Sequence, residues 1–252
     1  MDAFWAAPPV TRTITALTFA VSILHISDIL SGWYIFFSPS RIFKLPPEIW
    51  RPFSAFLLTG RGIGFFLDLY HMFKYGSALE RDSPWFSGPD DFFVYVLFVG
   101  TVILLTAGCY LGFGVFTTPL IVAFVYSFAR VNEGKKVKFI MIPLPVEFLP
   151  WAFVLMDLVT GGPPSAILDI TGIIAAHTHY FLTRIYPSFG GGRNYLVTPV
   201  FVKRLFNRPR GVHRTYGTSL RPPETRESDG GWTSTLKGSW SARGRGRKLG
   251  GG

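Results

Sequence analysis

The sequence predicts an all-α polytopic membrane protein with six transmembrane helices. Three observations support this. Of 252 residues, 48% are hydrophobic and 17% aromatic, while only 16% are charged, against about 25% in ordinary soluble domains. The apolar residues fall into long runs separated by short polar stretches rich in turn formers. The basic residues are unevenly shared between alternate loops, as membrane topology requires. The same composition disfavours a soluble domain with a large core. A single cysteine, Cys109, excludes an intramolecular disulfide framework and a cysteine-rich metal site.

The opening Met1-Asp2-Ala3-Phe4-Trp5 lacks a basic stretch ahead of a cleavage site. The first apolar segment is therefore expected to stay on the mature chain. Residues 2–12 read as an amphipathic lead-in, with Phe4 and Trp5 at headgroup depth. The first span covers residues 14–36 and includes His25 and Asp28, groups that are costly at membrane depth unless they face protein or water. Residues 38–52 form a loop with short-helix character. The second span, 63–78, holds Asp68 and His71. Residues 79–91 read as a polar loop, 92–107 as the third span, 108–114 as a Gly-rich turn and 115–129 as the fourth span. A basic stretch at 130–138 precedes the fifth span, 140–159, which Pro143, Pro145, Glu147 and Pro150 interrupt. Gly161-Gly162-Pro163-Pro164 is a tight turn. The sixth span covers 166–185. The second and third spans offer roughly 16 apolar residues each, where about 20 cross a bilayer core, so local thinning or tilt is expected.

With the N-terminus in the cytosol, 21 Lys/Arg fall on the cytosolic side and 4 outside, in accord with the positive-inside rule. Both termini are then cytosolic. Residues 1–186 balance 12 basic against 12 acidic side chains, whereas residues 187–252 hold 13 basic and 3 acidic. Such a Gly/Pro/Ser-rich tail is compatible with nucleic acid. Beside membrane spans it reads more simply as a cytosolic tail near anionic headgroups, and no nucleic-acid partner is expected.

Six spans with embedded polar residues invite a test for intramembrane serine-protease chemistry. A rhomboid-type site needs a Gly-x-Ser motif at the start of the fourth span and a histidine on the sixth. His177 is in place, but the fourth span opens Gly112-Phe113-Gly114-Val115-Phe116-Thr117-Thr118-Pro119, without the serine. No catalytic residue is therefore expected. His177 and His179 are two apart and point to different sides of a helix, so no shared metal face follows. His177 reads as a buried hydrogen-bonding histidine. Gly172 and Ala176 make a small-xxx-small pair suited to close helix packing. His25, Asp28, Asp68, His71, Glu147, Asp157 and Asp169 admit two readings, a proton or ion relay or the lining of a hydrated cavity, and the second is favoured.

Trp50 and Arg51, within Ile49-Trp50-Arg51-Pro52, form the most distinctive pair in the first loop. Taken alone it reads as an interfacial anchor, with Pro52 biasing Arg51 toward an extended conformation. Further stretches stand in order along the chain: Tyr75-Gly76-Ser77-Ala78-Leu79-Glu80, Leu149-Pro150-Trp151, Gly172 to His177, then Tyr186-Pro187, Gly191-Gly192-Arg193-Asn194-Tyr195-Leu196 and Thr198-Pro199. Taken together in this order, the set resembles the Derlin family, rhomboid-like pseudoproteases of the endoplasmic reticulum. Ile49-Trp50-Arg51-Pro52 and these stretches resemble, in turn, the family's Trp-Arg motif, its Tyr-x-x-x-Leu-Glu, its Leu-Pro-Trp, its Gly-x-x-x-Gly-His (with Ala176 in place of the second Gly) and the segment after its last span.

Arg243-Gly244-Arg245-Gly246-Arg247-Lys248-Leu249-Gly250 resembles the SHP box through which Derlins bind the valosin-type AAA+ ATPase. Gly244, Gly246, Leu249 and Gly250 occupy its fixed positions, with Arg243 where an aromatic is usual. An extended Gly-rich strand can add to a sheet edge while Leu249 fills a pocket.

The resemblance implies a six-span domain over residues 1–195 and a largely disordered basic tail over 196–252. It implies a non-enzymatic, multi-pass protein of the endoplasmic reticulum membrane, without cofactor. Such a protein serves ER-associated degradation by retrotranslocating misfolded clients through a locally thinned bilayer, beside a membrane ubiquitin ligase and the AAA+ ATPase. An active intramembrane protease and a small-molecule or ion transporter are the alternatives.

Overall fold

The computed structural model describes residues 7–42, 48–139, 142–189 and 196–206. The chain divides into two units, residues 1–209 and 210–252, and every described residue lies in the first. Most of these residues are helical.

Helix α1 (Pro9–Ile26) begins at a proline, whose missing N–H leaves no partner wanting at that position. It ends ten residues short of the expected span. Asp28 takes a φ of +55°, a left-handed conformation that Asp tolerates better than most residues. His25 Nδ1 bonds the Leu30 carbonyl at 3.0 Å across the resulting turn. His25 and Asp28 therefore mark the end of a helix rather than its middle. Three short helices follow, α2 (Gly32–Ile35), α3 (Pro39–Ile42) and α4 (Arg51–Ser54).

Helix α5 (Ile63–Asp82) is the next long element. Helix α6 (Pro89–Ile103) continues as a π-helix over Leu104–Tyr110, so the third apolar run extends into the expected turn. Helix α7 (Thr117–Val131) is the centre of the fold. Ten of its residues are buried, and it packs against α5, α6, α8 (Leu149–Gly161) and α9 (Pro163–Tyr180). Gly162, at φ +77°, joins α8 to α9 in a conformation that side-chain-bearing residues rarely adopt. A π-helix (Phe181–Ile185), α10 (Tyr186–Phe189) and α11 (Val200–Leu205) complete the described chain. Although residues after 195 were expected to open the tail, Val202 of α11 is buried and Phe206 packs against Phe93.

The helical class holds, but two features depart from the expected six-span arrangement. Strands β1 (Lys136–Phe139) and β2 (Ile142–Pro145) form an antiparallel hairpin with Lys136 opposite Pro145 and Phe139 opposite Ile142. The fifth helix consequently starts at Leu149, not at residue 140. Pro143 and Pro145 lack the N–H groups a helix interior needs, and a two-stranded edge tolerates them. Secondly, among the described residues only Pro9–Ile26 and Pro89–Tyr110 are both long and apolar enough to cross a membrane unaided, where six were expected. Helices α7 and α8 are apolar but have 15 and 13 residues, while α5 and α9 carry charged or polar groups such as Asp68, Lys74 and Asp169.

The start of α1 is held by α5. Glu80 accepts hydrogen bonds from the N–H groups of Val10 (3.0 Å) and Thr11 (2.7 Å) and from the Thr11 hydroxyl (2.8 Å). A buried carboxylate thus satisfies the free donors of a helix N-terminus and complements its dipole. Glu80→Ala is expected to cost about 3 kcal/mol, with Glu80→Gln costing less because one acceptor oxygen remains. Thermal unfolding of detergent-purified protein checks this ranking.

Candidate functional site

The Trp50-Arg51 pair closes one end of the first loop. Helix α2 is a single turn, so its last carbonyls have no helical partners. Side chains from α4 and the residue before it supply them. Trp50 Nε1 donates to the Tyr34 carbonyl (3.3 Å), Ser54 Oγ to Ile35 (3.1 Å) and Arg51 Nη1 to Phe36 (2.6 Å). Arg51 Nε pairs with the Glu48 carboxylate. Arg51 is 1% exposed and is the largest fully buried side chain among the described residues. Contrary to the expected extended conformation, Arg51 opens α4 as a helical residue, with Pro52 inside the first turn, where proline is tolerated. Trp50 stays 53% exposed. Next to this pair, Arg41 lies 3.6 Å above the Trp33 ring. The loop is also clamped to α7. Thr117 Oγ1 donates to the carbonyls of Leu58 (2.6 Å) and Phe56 (3.0 Å).

Gly172 and Ala176 lie where α9 meets α7, both buried. A Cβ at position 172 would fall 2.1 Å from the Pro119 carbonyl oxygen and 2.8 Å from its carbon. Only glycine allows α9 to approach the backbone of α7 this closely.

His177 is exposed rather than buried. Its Nδ1 lies 2.7 Å from the Tyr126 hydroxyl, which also accepts a bond from Arg130 Nε at 3.2 Å. The buried histidine is His179, which lies edge-on to the Tyr95 ring at 4.8 Å between centroids. His177, Tyr126 and Arg130 line a cavity of about 540 Å³ with Glu133, Glu147, Pro150 and Trp151. Thr117, at the start of α7, and Ser127, near its other end, both have partners other than His177. Thr117 is committed to loop carbonyls, and Ser127 bonds the Tyr95 hydroxyl at 2.7 Å.

Asp68, Asp157 and Asp169, from α5, α8 and α9, lie within electrostatic reach of one another. Asp169 is fully buried, and neither of its carboxylate oxygens has a hydrogen-bond partner among the described residues. No group of acidic, histidine or cysteine residues suited to a metal ion occurs among the described residues.

Sequence reasoning gave no role to Glu48, Thr117, Tyr126 or Arg130. Thr117 and Tyr126 act through partners 51 to 61 residues away, which spacing does not reveal. Local signals existed for the other two: Glu48 stands three residues before Arg51, and Arg130 stands four residues after Tyr126 and three before Glu133. The box containing Gly244, Gly246, Leu249 and Gly250 lies outside the described residues.

A family model described as the Der1-like family matches residues 7–200. Derlin-1 of Mus musculus is 30% identical over 238 residues, covering 91% of this chain and 93% of the relative. Derlin-1 of Homo sapiens is 29% identical with the same coverage. Derlin-1.2 of Zea mays is 28% identical over 207 residues, covering 81% of this chain and 83% of the relative. The family match takes in the Trp50-Arg51 loop, Glu80 and the Gly172–His177 stretch. The chain belongs to the Der1-like family.

Proposed function

We propose that this protein is a non-catalytic component of ER-associated degradation that helps misfolded proteins leave the endoplasmic reticulum. The observation that carries the reading is the family match across residues 7–200, together with similarity to Derlin-1 over nine-tenths of the chain. The long helices α1 and α5–α9 would be the six spans of a rhomboid-like domain, with both termini cytosolic. The outward faces support this. Ile63, Phe66, Leu105, Leu155 and Val159 are all more than half exposed, a state that lipid rather than water favours. Helices of 13 and 15 residues fall below the roughly 20 needed for an ordinary bilayer core. A locally thinned membrane accommodates them and lowers the cost of moving polar chain across.

Absence of covalent chemistry fits the engagement of Thr117, Ser127 and His177 with other partners. Clients would meet the Trp50-Arg51 loop on the lumenal side and pass beside a membrane ubiquitin ligase. The tail box at Gly244, Gly246, Leu249 and Gly250 would then engage the valosin-type AAA+ ATPase. A crosslinking pulldown of the full chain tests this. The ligase and the ATPase should be recovered together, and Leu249→Asp should abolish ATPase recovery while leaving the ligase. Unchanged ATPase recovery would remove the tail from the mechanism.

A further inference from the structure

We propose that the cavity between α7, α8 and α9 holds the headgroup of a zwitterionic phospholipid, a phosphate diester bearing an ammonium group. The inference rests on these helices crossing the membrane. The cavity, of about 540 Å³, lies within the range of roughly 300–1,000 Å³ typical of small-ligand sites. It offers both charges such a headgroup needs. Arg130 uses Nε on Tyr126 and Nη1 on Glu133 (2.8 Å), and the remaining donors of its planar fork suit a phosphate. Glu147 also lines the cavity and makes no hydrogen bond or ion pair among the described residues. It is the natural partner of an ammonium group. Trp151, four residues on and 58% exposed, can add its ring face to that cation.

Two further features favour a membrane lipid over a soluble phosphoester and over an anionic lipid. The exposed residues Trp151, Leu155 and Val159 follow helical spacing along α8, and exposed Phe148 stands just before its first residue. They form an apolar stripe that runs from the cavity along the outer face, where acyl chains would lie. The cavity also carries two carboxylates, Glu133 and Glu147, against one permanent cation, Arg130, so a purely anionic headgroup meets a net like charge.

Native mass spectrometry of the full chain, purified in mild detergent, tests the site with three probes: palmitoyl-oleoyl-phosphatidylcholine, palmitoyl-oleoyl-phosphatidylglycerol, which has the phosphate diester but no ammonium, and free phosphocholine. Phosphatidylcholine should be retained over phosphatidylglycerol, and free phosphocholine should not displace it. Glu147→Gln should move the ratio toward phosphatidylglycerol by about threefold to fivefold, the scale of one partly exposed ion pair. Because Glu147 is exposed and makes no bond within the described fold, its variant should unfold at the wild-type temperature. Arg130→Gln should weaken retention of both lipids. Preference for phosphatidylglycerol in the wild type, or an unchanged ratio in Glu147→Gln, would overturn the site. Displacement by free phosphocholine would overturn its assignment to a lipid. Selective retention in a protein that fails to support client turnover would overturn the degradation reading and leave the site standing.

Discussion

Gly172→Val is expected to prevent normal docking of α9 on α7 and to sharply reduce the level of folded protein. The atom in the way is backbone. Any Cβ at position 172 meets the Pro119 carbonyl oxygen at 2.1 Å, and a main-chain oxygen inside a buried helix cannot rotate aside as a side chain could. Helix α7 cannot yield either, because α5, α6 and α8 hold its other faces. Overpacking of a core generally costs about 1–3 kcal/mol, and a clash against fixed backbone belongs at the upper end or above it. Gly172→Ala should already destabilise measurably, and Gly172→Val more. Ala176→Gly removes a methyl without a clash and should cost only about 1 kcal/mol, chiefly through helix propensity. Thermal unfolding in detergent and steady-state abundance in cells check the series. Equal behaviour of Gly172→Val and Ala176→Gly would show that the close approach carries no energetic weight.

Arg51→Ala is expected to be the most damaging change in the first loop. Its guanidinium is buried, bonds the Phe36 carbonyl at 2.6 Å and pairs with Glu48. Breaking one partner of a buried ion pair costs about 3–5 kcal/mol. Glu48 retains partial access to solvent, which places the effect at the lower end. Arg51→Lys should rescue only partly, because a point charge cannot bridge a carboxylate and a carbonyl as the planar fork does. Trp50→Ala removes one hydrogen bond from a half-exposed ring and should cost about 1 kcal/mol. Unfolding temperatures in the order wild type, Trp50→Ala, Arg51→Lys, Arg51→Ala are expected. Accelerated loss of Arg51→Ala protein in cells would mark Arg51 as architectural. The role of the exposed Trp50 would then be read from client turnover at unchanged abundance.

Local chemistry makes several features of the fold legible in the sequence. The Gly161-Gly162-Pro163-Pro164 turn, the apolar runs that became α5, α6 and α7, and the small face of Gly172 and Ala176 all follow from residue type and spacing. The end of α1 did not, because Ile29, Leu30 and Trp33 to Phe37 prolong the hydropathy past the point where Asp28 turns the chain. The hairpin had a readable signal, the alternation Lys136-Val137-Lys138-Phe139, which the expectation of a continuous fifth span obscured. His177 and His179 were distinguishable from spacing alone: His179 lies seven residues after Gly172, on the face that Gly172 and Ala176 assign to packing, whereas His177 lies well round the helix from it. Glu48 and Glu80 gain their importance from partners 3 to 70 residues away. Only the folded chain shows that Glu80 closes the start of α1.

On the proposed function, this chain promotes degradation of misfolded endoplasmic-reticulum proteins without cleaving them. The most direct test is a translation-shutoff chase of a misfolded membrane client in cells lacking their own Derlins, with and without the full chain. The expected result is faster loss of intact client when the chain is present, reversed by blocking either the proteasome or the AAA+ ATPase, with no cleavage fragment accumulating. An unchanged client half-life, or a fragment that appears while both are blocked, would contradict it.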